Sequence, residues 1–246
     1  MPTFERGDLS LYYEEYGSGY PVLLFAPGGM HSRNDVWRSS PFDPTRELAG
    51  DFRVIATDQR NAGRSRAPIG ADDWATYTAD HLALLDHLGI DRCHVMGGCI
   101  GSSYCLGICR AAPERISAAV LQNPIGLSRG NRDDFYNMFD EWAGEIGPQH
   151  PEADEAALRA FRERMFGAGQ DFVFSVTRDF VRGCRTPLLV LAGDDNFHPT
   201  AIAREIVELA PDAELVLAWR TPDVVGETVK RVRAFLQAHT PVRAAT

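Results

Sequence analysis

Apolar residues in this chain come in two textures. Pro21-Val22-Leu23-Leu24-Phe25-Ala26, Phe52-Arg53-Val54-Ile55-Ala56-Thr57, Ile116-Ser117-Ala118-Ala119-Val120-Leu121 and Thr186-Pro187-Leu188-Leu189-Val190-Leu191-Ala192 are short, nearly continuous apolar runs. Such runs are what strands buried on both faces of a parallel sheet look like. Between and after them lie stretches with apolar positions at helical spacing, over residues 75–88, 200–209 and 225–238, with Gly89 as a stop signal after the first. Residues 8–16 alternate well enough for a further strand, Gly17-Ser18-Gly19 turns the chain, and a last strand is predicted at about 213–219. Strands alternating with helices predict an α/β fold, a doubly wound, mostly parallel sheet flanked by helices. Ligands of such sheets bind beyond the carboxyl ends of the strands.

The texture changes over residues 125–184. An amphipathic stretch at 133–142 is broken by Gly147-Pro148-Gln149-His150-Pro151, and a second follows at about 154–166. The expected division is a core formed by 1–124 and 185–246, with 125–184 inserted as a helical cap. Phe135, Tyr136, Phe139, Trp142 and Phe166 are the aromatic residues available to line a site under it, although core packing is the commoner role of such stripes. His31, Phe139 and Trp142 are taken forward as substrate-binding candidates. His81 and His87 on the 75–88 helix are expected at its surface or flank.

Length and charge then narrow the function classes. A chain of 246 residues fits one α/β domain with a small insertion. A net charge of −9 and the lack of any Lys/Arg cluster argue against a nucleic-acid partner, and Lys230 is the sole lysine. No apolar stretch is long enough to span a membrane, and the first residues lack the pattern of a signal peptide. The expected setting is cytoplasmic and the expected partner a small-molecule substrate. Oligomeric state is unreadable. Five cysteines (Cys93, Cys99, Cys105, Cys109, Cys184) do not suggest a disulfide framework, and no His or carboxylate falls around them at zinc spacing. Neither a metal nor a cofactor is expected. Cys105 and Cys109, four apart on one helix, read as packing residues.

The stretch that carries chemistry is Cys93-His94-Val95-Met96-Gly97-Gly98-Cys99-Ile100-Gly101-Ser102-Ser103. An apolar strand ends at one reactive side chain, with small residues two before and two after it, and a helix follows. Gly-x-Cys-x-Gly is the pattern of a nucleophile elbow, in which strand and helix nearly collide and the central residue is held in a strained conformation. The turn aims the N–H of Ile100 and the positive end of the helix at an anion forming beside the sulfur. Pro27-Gly28-Gly29-Met30-His31, after an early strand, can supply the second oxyanion donor, with Gly29 the best positioned.

Asp58-Gln59-Arg60-Asn61-Ala62-Gly63-Arg64-Ser65 resembles the Asp-x-Arg-Gly-x-Gly-x-Ser loop of α/β-hydrolases of the epoxide hydrolase and haloperoxidase type, with Asn61 where Gly is usual. In that family the loop is structural. The resemblance runs from about residue 8 to 238. It implies a triad carboxylate in Gly193-Asp194-Asp195-Asn196-Phe197-His198-Pro199, with Asp195 preferred to Asp194. It also implies a catalytic histidine near Trp219-Arg220-Thr221-Pro222-Asp223-Val224, where none occurs. His198, three residues past Asp195, is the favoured relocated base and His31 the second choice. His94 is expected to be buried below the sulfur and His239 to lie in an exposed tail. Dienelactone hydrolases share Gly-x-Cys-x-Gly, a resemblance confined to the elbow. A thiol, unlike a serine hydroxyl, can be nucleophilic without a fully formed base. The leading expectation is therefore attack by Cys99 on an ester, lactone or thioester carbonyl, by hydrolysis or acyl transfer. The alternatives are a lyase or cyclase using the same pocket, and a ligand-binding protein on a hydrolase scaffold.

Overall fold

The computed structural model describes residues 2–242. Its centre is one eight-stranded sheet: β1 (Thr3–Arg6), β2 (Leu9–Tyr16), β3 (Tyr20–Phe25), β4 (Phe52–Thr57), β5 (Cys93–Gly98), β6 (Ile116–Gln122), β7 (Leu188–Leu191) and β8 (Ala213–Val216). The spatial order is β1-β2-β4-β3-β5-β6-β7-β8. The pairings of β2 with β1 and β4 are antiparallel, and all others are parallel. The expected doubly wound sheet is present. Its order reverses between β3 and β5, so the crevice of this topology opens where those two strands end.

Among the described residues, eight α-helices accompany the sheet: α1 (Pro44–Glu47), α2 (Trp74–His87), α3 (Ile100–Ala111), α4 (Arg132–Ile146), α5 (Glu155–Phe166), α6 (Arg178–Gly183), α7 (Thr200–Leu209) and α8 (Val225–Ala238). Alternate residues of the inner strands feed two cores. Leu23, Phe25, Val95, Leu121 and Val190 belong to the core that includes α2 and α3, whereas Val22, Leu24, Met96, Val120 and Leu191 meet Trp37, Trp219, Val232 and Leu236. Burial on both faces explains why these strands read as unbroken apolar runs.

Two expectations need correction. His81 is not at the surface. It is fully buried against Phe25 and Tyr104, with Nε2 2.6 Å from Gln59 Oε1, and burial drives its pKa down to about 3. The last strand stops at Val216 rather than about 219, because the chain turns to bury Trp219, whose Nε1 donates to the Ala192 carbonyl at 2.8 Å. His87 is exposed as expected, and Asn61 does take a positive φ, 55°. Among the described residues, no helix is long and apolar enough to cross a membrane.

Candidate active site

Cys99 links β5 to α3 with φ 55° and ψ −122°, a conformation that costs an L-residue free energy and persists only where its surroundings impose it. Those surroundings are two glycines. A side chain on Gly97 would strike the Gly101 carbonyl, and one on Gly101 would strike the carbonyl of Phe25 in β3. Strand, helix and neighbouring strand thus meet at backbone distance, and the Cys99 N–H is anchored to the Gln122 carbonyl of β6 at 2.9 Å. The sulfur is left partly buried at the carboxyl edge of the sheet.

Gly28 and Gly29 follow β3 with φ values of 121° and 57°. Consecutive residues with positive φ turn successive amides toward one side, making an anion-binding concavity. Both amides lie near enough to the Cys99 sulfur to favour its thiolate. The sequence singled out Gly29 and missed Gly28; the Gly-Gly pair itself was the available signal. Ile100, the other expected donor, opens α3 directly beside Cys99, where N–H groups lack intrahelical partners.

The 193–199 loop after β7 brings Asp195 and His198 together. Asp195 Oδ1 accepts from the Phe197 and His198 amides, each at 3.0 Å, and lies 2.7 Å from His198 Nδ1, with Oδ2 at 2.9 Å. The carboxylate thus shapes the turn and orients the ring, leaving Nε2 to the sulfur side. His198 and Cys99 lie close enough that each shifts the ionisation of the other. The contact is looser than a formed hydrogen bond, since Nε2 is buried and meets no partner within bonding geometry. Such catalytic contacts tighten in a complex.

Electrostatics follows from these contacts. Burial opposes charge on both groups, yet the attraction between sulfur and imidazole outweighs it. The Cys99 pKa falls below the ordinary thiol value, helped by the two glycine amides, and that of His198 rises to about 9 with support from Asp195. Burial likewise works against the Asp195 carboxylate, but His198 and the two loop amides hold its pKa below the usual value. By contrast, burial pushes Cys93, Cys105, Cys109 and Cys184 upward, so Cys99 is the one of the five thiols whose ionisation is favoured.

The remaining candidates lie elsewhere. Asp194 pairs with Arg220, so the two loops where the family resemblance placed carboxylate and histidine are joined here by an exposed ion pair. The imidazole of His31 turns to α4, with Nε2 2.8 Å from Glu145 Oε2. His94 is buried below the elbow and bonded to Thr240 Oγ1 at 2.9 Å, and His239 contacts the Phe235 carbonyl. Phe139 and Trp142 were expected to line the site. Both are fully buried against Phe161 between α4 and α5, and Trp142 donates to the Asn61 carbonyl. Their apolar rings serve helix packing, whereas α4 reaches the active-site loops through Met138 against Gly29, Glu145 bonded to His31, Asp134 bonded to Asn196 and Phe135 against Phe197. Among the described residues, no three His, Cys, Asp or Glu gather to hold a metal ion.

A family profile described as alpha/beta hydrolase fold matches residues 21–172. The chain is 29% identical to a protein named "Putative carbamate hydrolase RutD" from Azorhizobium caulinodans, over 92% of this chain and 96% of that one. Identity to the protein of the same name from Pseudomonas savastanoi pv. phaseolicola is 35%, over 79% and 84%. Among solved structures, a meta-cleavage product hydrolase from Pseudomonas fluorescens superposes with a TM-score of 0.71 at 18% identity, covering 98% of each chain.

Proposed function

This chain belongs to the α/β-hydrolase fold family, and from that premise we propose that it is a cysteine-nucleophile hydrolase or acyltransferase acting on the carbonyl of a small organic substrate. The observation that carries this reading is the meeting of three loops on one sulfur: the strained elbow presenting Cys99, the glycine turn giving it two amides, and the loop holding His198 against Asp195.

In the proposed reaction the Cys99 thiolate attacks the carbonyl carbon of an ester, lactone or thioester. The S–C bond forms as the carbonyl π pair moves onto oxygen, and that oxyanion takes the amides of Gly29 and Ile100, with Gly28 freed as the sulfur loses its charge. Collapse re-forms the carbonyl and expels the leaving group, which receives the proton of the His198 imidazolium. His198, now neutral, takes a proton from water or another acceptor attacking the acyl-Cys99 thioester, and the thiolate departs. A carbamate, the group named for the relatives, presents the same carbonyl and has an amine leaving group that needs such an acid. The helical segment 125–184 acts as the cap, with α4 lying against the Gly29–His31 turn.

Replacing Cys99 by Ala should lower kcat for an activated ester on the order of 10³-fold or more, because the covalent route is lost. Turnover by Cys99→Ala at the wild-type rate would rule the reading out.

A further inference from the structure

The 193–199 loop carries both the base and its carboxylate, so its placement decides whether His198 meets the sulfur. It is held from outside by Asn131. That side chain is 1% exposed and stands at the N-terminus of α4, yet it makes no capping bond to the helix. Its Oδ1 accepts from the Ser128 N–H at 2.9 Å. Its Nδ2 donates to the Gly126 carbonyl at 3.0 Å and to the Asn196 carbonyl at 2.8 Å, the latter inside the base loop. Both amide protons and the oxygen are thereby used. Around this joint, Gly126 N–H donates to the Phe197 carbonyl at 3.3 Å, Asn196 bonds Asp134, and the rings of Phe135 and Phe197 meet edge-on at 5.2 Å.

We propose that Asn131 is a positioning residue for catalysis: by fastening the Asn196 carbonyl to the base of α4, it fixes the His198 imidazole at the Cys99 sulfur. The inference rests on the cysteine–histidine reading of the site. Its physical logic is that a base moved onto the loop after β7 loses the usual support of the loop after β8, and a buried amide from the helical segment replaces it. Asp195 shapes the loop internally, and Asn131 sets where the whole loop sits. No other side chain type of this size offers two donors and an acceptor.

The test is the pH dependence of iodoacetamide alkylation at Cys99, mapped by peptide mass, in the full chain and three variants. Asn131→Ala removes all three bonds. Asn131→Ser keeps a side chain equally good at a helix N-terminus but too short for the two carbonyls, and is the variant to read if the first does not fold. Asp140→Asn breaks the 2.6 Å ion pair from α4 to Arg162 and loosens α4 without touching the base loop.

The expected result is a wild-type alkylation midpoint below that of an ordinary thiol. Both Asn131 variants should be displaced upward by about one unit, a roughly tenfold slower alkylation at neutral pH, with kcat reduced in step and Asp140→Asn unchanged. Coincident low midpoints for wild type and the Asn131 variants would overturn the role of Asn131 and leave the cysteine–histidine reading standing. An equal displacement in Asp140→Asn would also overturn it, since loosening α4 alone would suffice. An ordinary midpoint in the wild type would overturn that reading and this inference together.

Discussion

At the scale of single residues, the account turns on which atom holds the proton between Cys99 and His198. The thiol is lowered and the imidazole raised to about 9, so the environment favours the thiolate–imidazolium form of the pair. The two titrate as a coupled pair. With the imidazolium as the acid that completes attack, kcat/KM should rise as the pair loses its first proton and fall near pH 9 as the imidazolium loses its own. A mechanism needing neutral histidine at the start would instead still be climbing at pH 9, and the profile separates the two. Asp195→Asn should cut kcat about 10- to 100-fold, the low end for an acid–base partner, because a carboxylate 51% exposed is screened by water. Cys99 was legible in the sequence because the elbow demands small residues at two fixed spacings. His198 was reached by elimination and by its nearness to Asp195. Gly28 was not read, since the direction of a backbone amide is decided by φ values that the letters Gly-Gly permit without specifying. Asn131 was not read either, because its partner at Asn196 is 65 positions away.

At the scale of elements, strand and helix boundaries followed from burial on both sheet faces, and these were the most legible part of the chain. The failures came where tertiary packing overrode a local pattern. His81 shares a helical face with Tyr77, Leu84 and Leu85, all buried, so its spacing pointed inward although its chemistry suggested water. Phe139 and Trp142 sit on the α4 face that meets α5, whereas Met138, on a neighbouring face, covers Gly29. The elbow is the tightest joint between elements. Gly101→Ala should destabilise the fold by about 1–3 kcal/mol in guanidinium unfolding, because the added methyl meets the rigid Phe25 carbonyl, not a side chain that could move. Wild-type stability in that variant would mean the β3–α3 approach is looser than the structure has it.

At the scale of the molecule, the active-site loops are carried by a sheet braced by buried charge. Arg60, in the loop after β4, bonds Asp80 of α2 through Nε and Nη2 at 2.9 and 3.0 Å and lies 3.4 Å from Asp72, with all three side chains at most 12% exposed. Removing the guanidinium strands two buried carboxylates, so Arg60→Met should cost about 3–5 kcal/mol at neutral pH. Burial raises the pKa of Asp80 despite its bonds to Arg60. The loss in Arg60→Met should therefore shrink as acid protonates Asp80, and unfolding curves across pH check this. The Asp58–Ser65 loop is structural here in the same sense: Asp58 is fully buried and held by Arg64, and Asn61 Oδ1 accepts from the Ala67 amide at 2.8 Å.

The central claim is that Cys99 becomes covalently acylated during turnover. Mixing the protein with an activated ester, quenching in acid within the first turnovers and measuring intact mass, followed by peptide mapping, tests it directly. The account predicts a single acyl group on the peptide containing Cys99, forming and decaying at rates compatible with kcat and absent from Cys99→Ala. Steady turnover with the sulfur unmodified at every quench time would contradict it.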